Sequence, residues 1–365
     1  MFNFKKLGLI LMISSLGVFS CKKDKKDDPT PEATTVAEDK ANLKASFDEM
    51  VDCAGEIKDG KLVTLIQSMF DITQGESLNE GEWLEPIFDS LPNVFDFDAI
   101  ETDNNFDLSY HAGVYTYSNS SKEWTKTSSS NSSMTLKFPS VEGGSNDLEL
   151  YIGDYAGANY QIDGETVKLP TSFKLTFKQN SDVLVKMELK SATYKQLADI
   201  SIPTHIEIDI TLAPMDISVI AREVSAGKFD LNITMDNSNS CSSSIFAELT
   251  MAHGDYESLT EDDFVTLKGH VSHGDMKVTT DIDLKTLLEI EDPTENQINS
   301  LVNIDCYMSD VKIGDINLTE DVENNDVNIM MVYKDGTTED MVDVYLVPFV
   351  DDLELELFDL LGNWN

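Results

Sequence analysis

Three of the five histidines, His253, His270 and His273, are the first residues whose type and spacing invite chemistry, because neutral imidazole is a common metal ligand. His270 and His273 stand three apart in a segment of alternating pattern, and residues three apart on a strand point to opposite faces. They could share an ion only if the turn at Gly274 bent the chain back, so no zinc site is expected. His253-Gly254-Asp255 and His273-Gly274-Asp275 repeat one tripeptide, which reads as two similar hairpin turns. For calcium the candidates are Asp103-Asn104-Asn105-Phe106-Asp107 and Asp321-Val322-Glu323-Asn324-Asn325-Asp326. The second has oxygen side chains at alternate positions. It lacks the turn glycine and the distal bidentate glutamate of an EF-hand loop, and both runs read as solvated loops.

Four cysteines occur, at positions 21, 53, 241 and 306. If Cys21 is modified, three remain, and an odd number in an oxidising compartment allows one disulfide among the pairings of Cys53, Cys241 and Cys306. No histidine is marked as the partner of a catalytic thiol. The chain has no G-x-S-x-G elbow, no H-E-x-x-H, no phosphate-cradling G-x-x-x-x-G-K and no dinucleotide fingerprint. Among 67 acidic residues no carboxylate pair is singled out for glycoside chemistry. The expectation is a non-enzyme without metal or cofactor.

The start of the chain carries an address. Lys5 and Lys6 precede an apolar run from Leu7 to Val18, which is too short to span a bilayer, and small Ser20 precedes Cys21. Leu16-Gly17-Val18-Phe19-Ser20-Cys21 resembles a lipobox, whose cysteine receives diacylglycerol after cleavage. The resemblance implies a signal peptide over 1–20 and lipidation of Cys21. At about 0.8 kcal/mol per buried CH₂, two or three acyl chains would anchor the protein stably. Residues 21–38 form a charged, Thr/Pro/Glu-rich tether that reaches up to about 60 Å when extended. Its run Lys22-Lys23-Asp24-Lys25-Lys26-Asp27-Asp28 resembles the surface-export signal of Bacteroidota lipoproteins, although Lys25 separates acids that the family pattern places together. The chain is thus similar to outer-membrane and surface lipoproteins of Bacteroidota, a group defined by export signals and not by an activity. The implied location is the outer membrane, at the cell surface or otherwise its periplasmic face.

Charge narrows the partners. Sixty-seven acidic against 26 basic residues give a net charge of −41, and removal of residues 1–20, which hold Lys5 and Lys6 and no acid, leaves −43. Such a chain repels nucleic-acid phosphates and anionic headgroups, so membrane contact is expected only through the lipid on Cys21. With 41% hydrophobic residues and 25% charged, the bulk is expected to fold.

The elements follow from periodicity. Leu43, Phe47, Met50, Val51, Ala54 and Ile57 recur at helical spacing, as do Leu62, Leu65, Ile66, Met69 and Phe70. Ser77 and Glu80 read as a capping box for a third helix around Trp83–Leu91, so 39–92 is expected to be a helical layer. Residues 93–365 are expected to form a large antiparallel β region, and beyond about Phe106 the period is two, in runs such as Phe173/Leu175/Phe177, Val183/Val185/Met187/Leu189, Ile206/Ile208/Ile210/Leu212, Phe229/Leu231/Ile233/Met235 and Val278/Thr280/Ile282/Leu284. Turns at Asp163-Gly164, Ala226-Gly227, His273-Gly274-Asp275 and Lys334-Asp335-Gly336-Thr337 join antiparallel neighbours. Leu353–Leu361 returns to helical spacing. The expected fold is mainly β: a large curved antiparallel sheet or half-barrel, covered by N-terminal helices and a short C-terminal helix and forming one domain with them.

The segments around Tyr115, Tyr117 and Trp124, with Leu136-Lys137-Phe138-Pro139, read as a β-meander and resemble about 30 residues found in lipoproteins of Bacteroidota. Their aromatic rings either pack a hairpin or, if exposed, offer a contact for a glycan or protein partner. Two functional expectations result. The first is a carrier of a hydrophobic ligand, similar in architecture to periplasmic lipoprotein carriers, with a cavity of several hundred Å³ lined by strand residues such as Val185, Ile208 and Ile282. The alternative is a surface lipoprotein that binds a glycan or protein through an exposed aromatic cluster. A hydrolase ranks last.

Overall fold

The computed structural model describes residues 34–58, 60–69, 83–91, 108–198, 200–237, 241–291, 293–321 and 326–352. Cys21 and the tether up to residue 33, the Ser77/Glu80 box, Asp103–Asp107, residues 322–325 and the expected helix at Leu353–Leu361 lie outside the described residues. The fold is mainly β, a single 16-stranded sheet that does not close into a barrel, with N-terminal helices and a C-terminal helix.

The strands are β1 (Gly113–Ser118), β2 (Glu123–Ser129), β3 (Met134–Phe138), β4 (Leu148–Ile162), β5 (Glu165–Gln179), β6 (Asp182–Gln196), β7 (Ser201–Leu212), β8 (Met215–Ser225), β9 (Lys228–Asn237), β10 (Ser242–Met251), β11 (Phe264–His273), β12 (Met276–Asp283), β13 (Val302–Met308), β14 (Val311–Asp321), β15 (Asp326–Tyr333) and β16 (Thr338–Asp340). From β3 to β16 each strand lies beside its neighbour in sequence, because the connections are short and carry turn residues. Asp163 and Gly164, both at positive φ, make the β4–β5 turn, and Gly227, Gly274 and Gly336 supply positive φ at the other expected turns. His253-Gly254-Asp255 departs from expectation. It lies in the longer connection 252–263, which ends in a short 3₁₀ turn at Glu261–Asp263. The expected meander at the start of the sheet is also rearranged: β1 pairs antiparallel with β2 and parallel with β3, leaving β2 at the edge.

The helices are α1 (Val36–Lys58), α2 (Lys61–Met69), α3 (Glu85–Asp89), α4 (Leu108–His111), α5 (Leu284–Glu289), α6 (Glu295–Leu301) and α7, residues 341–352. The chain divides into two compact units, with the boundary inside β8: Met1–Glu56 with Val219–Leu357, and Ile57–Ser218 with Phe358–Asn365. Residues 39–92 therefore give helices to both.

In the first unit, α1 starts at a capping box. The Thr35 backbone N–H and hydroxyl both donate to Glu38, and the Glu38 N–H donates to the Thr35 hydroxyl. Leu43, Met50 and Cys53 face the core, as their spacing predicts. The helix packs with Met276, Cys306, Ile313, Met331 and Tyr333 of the sheet and with Met341, Tyr345 and Phe349 of α7. Alpha7 begins well before the segment expected to be helical; its Val342, Val344 and Val347 are β-branched and read locally as strand, which concealed it. Its Val342–Leu346 turn is π-helical, with Val347 N–H reaching back to the Val342 carbonyl; Pro348, which lacks an N–H, follows directly.

In the second unit, Leu65 and Met69 of α2 and Ile87 of α3 pack on Tyr117, Phe138, Leu148 and Leu184. The alternating residues align across strands as rows, Phe173–Leu189–Ile208 and Leu175–Met187–Ile210. A bulge at Phe177/Lys178 skips Leu184, whose side chain is fully buried.

Candidate functional site: an apolar cavity under α1 and α7

The first unit holds a cavity of about 180 Å³ that is partly open. Leu43, Phe47 and Met50 of α1 and Met341, Leu346 and Phe349 of α7 form one side of its wall, and strands β10 to β15 form the other. Register explains the space. Ala247 of β10, Gly269 of β11, Thr280 of β12 and Ile304 of β13 stand in one row across the sheet. The rows on either side hold Ile245–Val271–Val278 and Leu249–Leu267–Ile282. Two small residues between larger ones leave volume that neighbouring side chains do not fill. At Gly269 a Cβ would lie 2.6 Å from the Phe246 carbonyl oxygen, so this position admits no larger residue without backbone movement.

The wall is overwhelmingly apolar, and one polar atom in it has no partner. Thr280 Oγ1 is buried and makes no hydrogen bond. A buried hydroxyl left unpaired costs about 1–3 kcal/mol. His270 borders the cavity from β11, but strand alternation turns its ring to the face opposite Gly269 and Val271, where it stacks on Phe246 with ring centroids 5.5 Å apart. Burial, and then the charge of Lys277, hold its imidazole below the usual histidine range, which keeps it neutral at pH 7.

Alpha7 is held in place by a polar cluster. Glu339 accepts from Lys40 at 2.6 Å and from the hydroxyls of Tyr333 and Tyr345 at 2.9 Å each. Burial alone would raise this carboxyl, but the three donors outweigh it and hold Glu339 below its ordinary value. Beside it the fully buried Asp39 pairs with Lys334 at 2.8 Å and accepts from Thr34.

Of the three residues expected to line a cavity, Ile282 does so. Val185 and Ile208 belong to the second unit and lie away from this cavity. The space is also smaller than the several hundred Å³ expected, because α1 and α7 send Leu43, Phe47, Met50 and Phe349 into the sheet's apolar face. The readable sign was the Ala247/Gly269 interruption of otherwise large apolar alternation; that the two face each other is visible only once the strands are paired.

Tyr115, Tyr117 and Trp124 do not form an exposed cluster. Tyr117 is 5% exposed and meets Trp124 edge-on across the β1–β2 pair, with centroids 5.6 Å apart. Half-buried Trp124 donates its indole N–H to the Ile87 carbonyl at 3.0 Å. Half-buried Tyr115 packs on the Leu108–Met134–Leu136 cluster. These rings fasten the hairpin to α3, α4 and the sheet.

The histidines stay apart. His253 lies 2.9 Å from Asp263, His270 stacks on Phe246, and His273 is buried on the opposite face of β11 from His270. Among the described residues no three of His, Cys, Asp and Glu are grouped to hold a metal ion. Cys53 and Cys241 form the disulfide, joining α1 to the start of β10, and Cys306 is free and fully buried. Burial pushes the Cys306 thiol up to about 12, so it holds its proton. Among the described residues no helix is long and apolar enough to cross a membrane.

No known protein family matches this chain, and no curated protein or solved structure matches it either.

Proposed function

We propose that this chain is an outer-membrane lipoprotein, anchored through lipid on Cys21, whose first unit binds and carries a small hydrophobic ligand. The observation that carries the reading is the cavity: an apolar wall, small residues aligned to leave space, and one unpaired hydroxyl at Thr280. The anchor rests on the lipobox and the tether. An apolar cavity of about 150 Å³ is large enough to take up benzene, so the inserted group here is a ring or a short chain end, with its polar atom at Thr280. The protein does no chemistry on it.

The test uses the full chain carrying Cys21→Ser, exported to a periplasm and purified without detergent. Native mass spectrometry is expected to show a discrete added mass that organic solvent removes. Ala247→Phe, which places a ring in the cavity, is expected to abolish that mass while leaving the melting temperature within a few degrees. A bare polypeptide mass, together with no uptake of an environment-sensitive apolar dye that Ala247→Phe would block, would overturn the carrier reading.

A further inference from the structure

The second unit has a groove of about 320 Å³ on the polar face of β4, β5 and β6. Tyr151, Lys174, Thr176, Lys178 and Lys186 line it, with Glu149 and Val183. In register, Tyr151, Thr176 and Lys186 form one row, while Gly153 and Lys174 begin the next. Lys174 and Lys178 stand two residues on either side of Thr176, so the two cations lie about 13 Å apart along β5, with Lys186 alongside the threonine between them.

Three observations make this groove unlike the rest of the surface. The chain has a net charge of −41, yet its groove gathers three lysines against one acid. Glu149 is already paired with Lys137 at 3.2 Å and Glu188 with Lys186 at 2.6 Å, and neither Lys174 nor Lys178 has a hydrogen bond or salt bridge among the described residues. Tyr151 leans along β4 over bare backbone: a Cβ at Gly153 would lie 2.2 Å from the Tyr151 hydroxyl oxygen. The glycine lets a half-buried ring lie down beside Lys174, which faces Glu188 across the β5–β6 pair but makes no ion pair with it, Glu188 being held by Lys186.

We infer that this groove binds an acidic carbohydrate chain, with a sugar ring against Tyr151 and its carboxylates or sulfates on Lys174 and Lys178. A ring platform with a row of cations suits a polymer that repeats both a sugar face and an anion, whereas a small anion would use one lysine and leave the ring idle. The charge of the rest of the protein opposes any polyanion, but beyond a Debye length of about 8 Å that repulsion is screened at physiological salt. The inference concerns the second unit alone and does not depend on the cavity.

Affinity electrophoresis of the full chain with Cys21→Ser tests it, using gels that contain polygalacturonate, dextran sulfate or unmodified dextran. Retardation is expected with one or both acidic polymers and not with dextran. Lys174→Gln/Lys178→Gln and, separately, Tyr151→Leu are each expected to weaken it about tenfold. Lys268→Gln/Lys312→Gln removes the same charge elsewhere and is expected to leave binding within about twofold, as few contacts are lost. Circular dichroism on each variant verifies folding, and the lysine pair, half-buried on the polar face of the strand, carries the test if Tyr151→Leu unfolds. The inference is overturned by no retardation with either acidic polymer, by equal loss in the control pair, or by equal affinity for single-stranded DNA or phosphatidylglycerol vesicles.

Discussion

At His273 the imidazole is fully enclosed, neither ring nitrogen has a hydrogen-bond partner, and the Glu49 carboxylate, at 3.9 Å, is too far to accept one. Burial lowers the pKa to about 4 from an ordinary 6.5. The folded state therefore binds this proton less readily than the unfolded one. Stability from this site is complete above pH 6.5, falls as pH drops through the window from 6.5 to about 4, and is lowest below it. The loss amounts to about 3 kcal/mol. Urea unfolding at pH 7 and pH 4.5 is expected to show a pH effect in the native sequence that His273→Leu largely removes. An equal pH effect in both would assign acid sensitivity to other groups. The alternation around β11 put His273 and His270 on opposite faces, and that was readable. Which face would close over was not, because it depends on α1, more than 200 residues earlier.

Among the elements, α1 is tied to the sheet by packing and by one covalent bond. Cys53 and Cys241 are 188 residues apart in sequence, and closing so long a loop restricts the unfolded chain by about 5 kcal/mol in the chain-entropy account, with measured effects of about 2–5. Cys53→Ser/Cys241→Ser is expected to lower the urea midpoint by an amount in that range without changing strand content by circular dichroism. A midpoint that does not move would mean that α1 is held by Leu43, Phe47 and Met50 alone. The amphipathic spacing of α1 and α2 was plain in the sequence, as was the Thr35–Glu38 box in retrospect, since T-x-x-E is a local signal. Alpha7 was hidden because its valines read as strand, and only burial of Met341, Tyr345 and Phe349 at intervals of four shows the helix.

For the whole molecule, the proposal of a surface lipoprotein makes a separable demand. Cys21→Ser is expected to shift the full-length protein from the membrane to the soluble fraction and to end its labelling by radioactive palmitate. Protease added to intact cells is expected to remove the unsubstituted protein. A Cys21→Ser chain that stays with the membrane would reject the anchor. Two units and two unlike sites give this scale its interest. One candidate site is an apolar cavity between helices and strands, the other is a lysine-lined groove on a strand face, and each lies within its own unit.

What the sequence determined by itself is whatever depends on neighbours a few residues away: period-two strands, the turns at Asp163-Gly164, Ala226-Gly227, Gly274 and Gly336, the helical spacing of α1, and the excess of acid. Backbone periodicity and turn dihedrals are local quantities, so residue types alone express them. The tertiary structure decided what depends on register and on the sum of distant volumes. It paired Cys53 with Cys241 and not with Cys306, brought β3 beside β1, placed Ala247 opposite Gly269, and set Lys186 beside Thr176 between Lys174 and Lys178. Strand pairing converts separations of tens of residues into contact, and a cavity or a cation row exists only after that conversion.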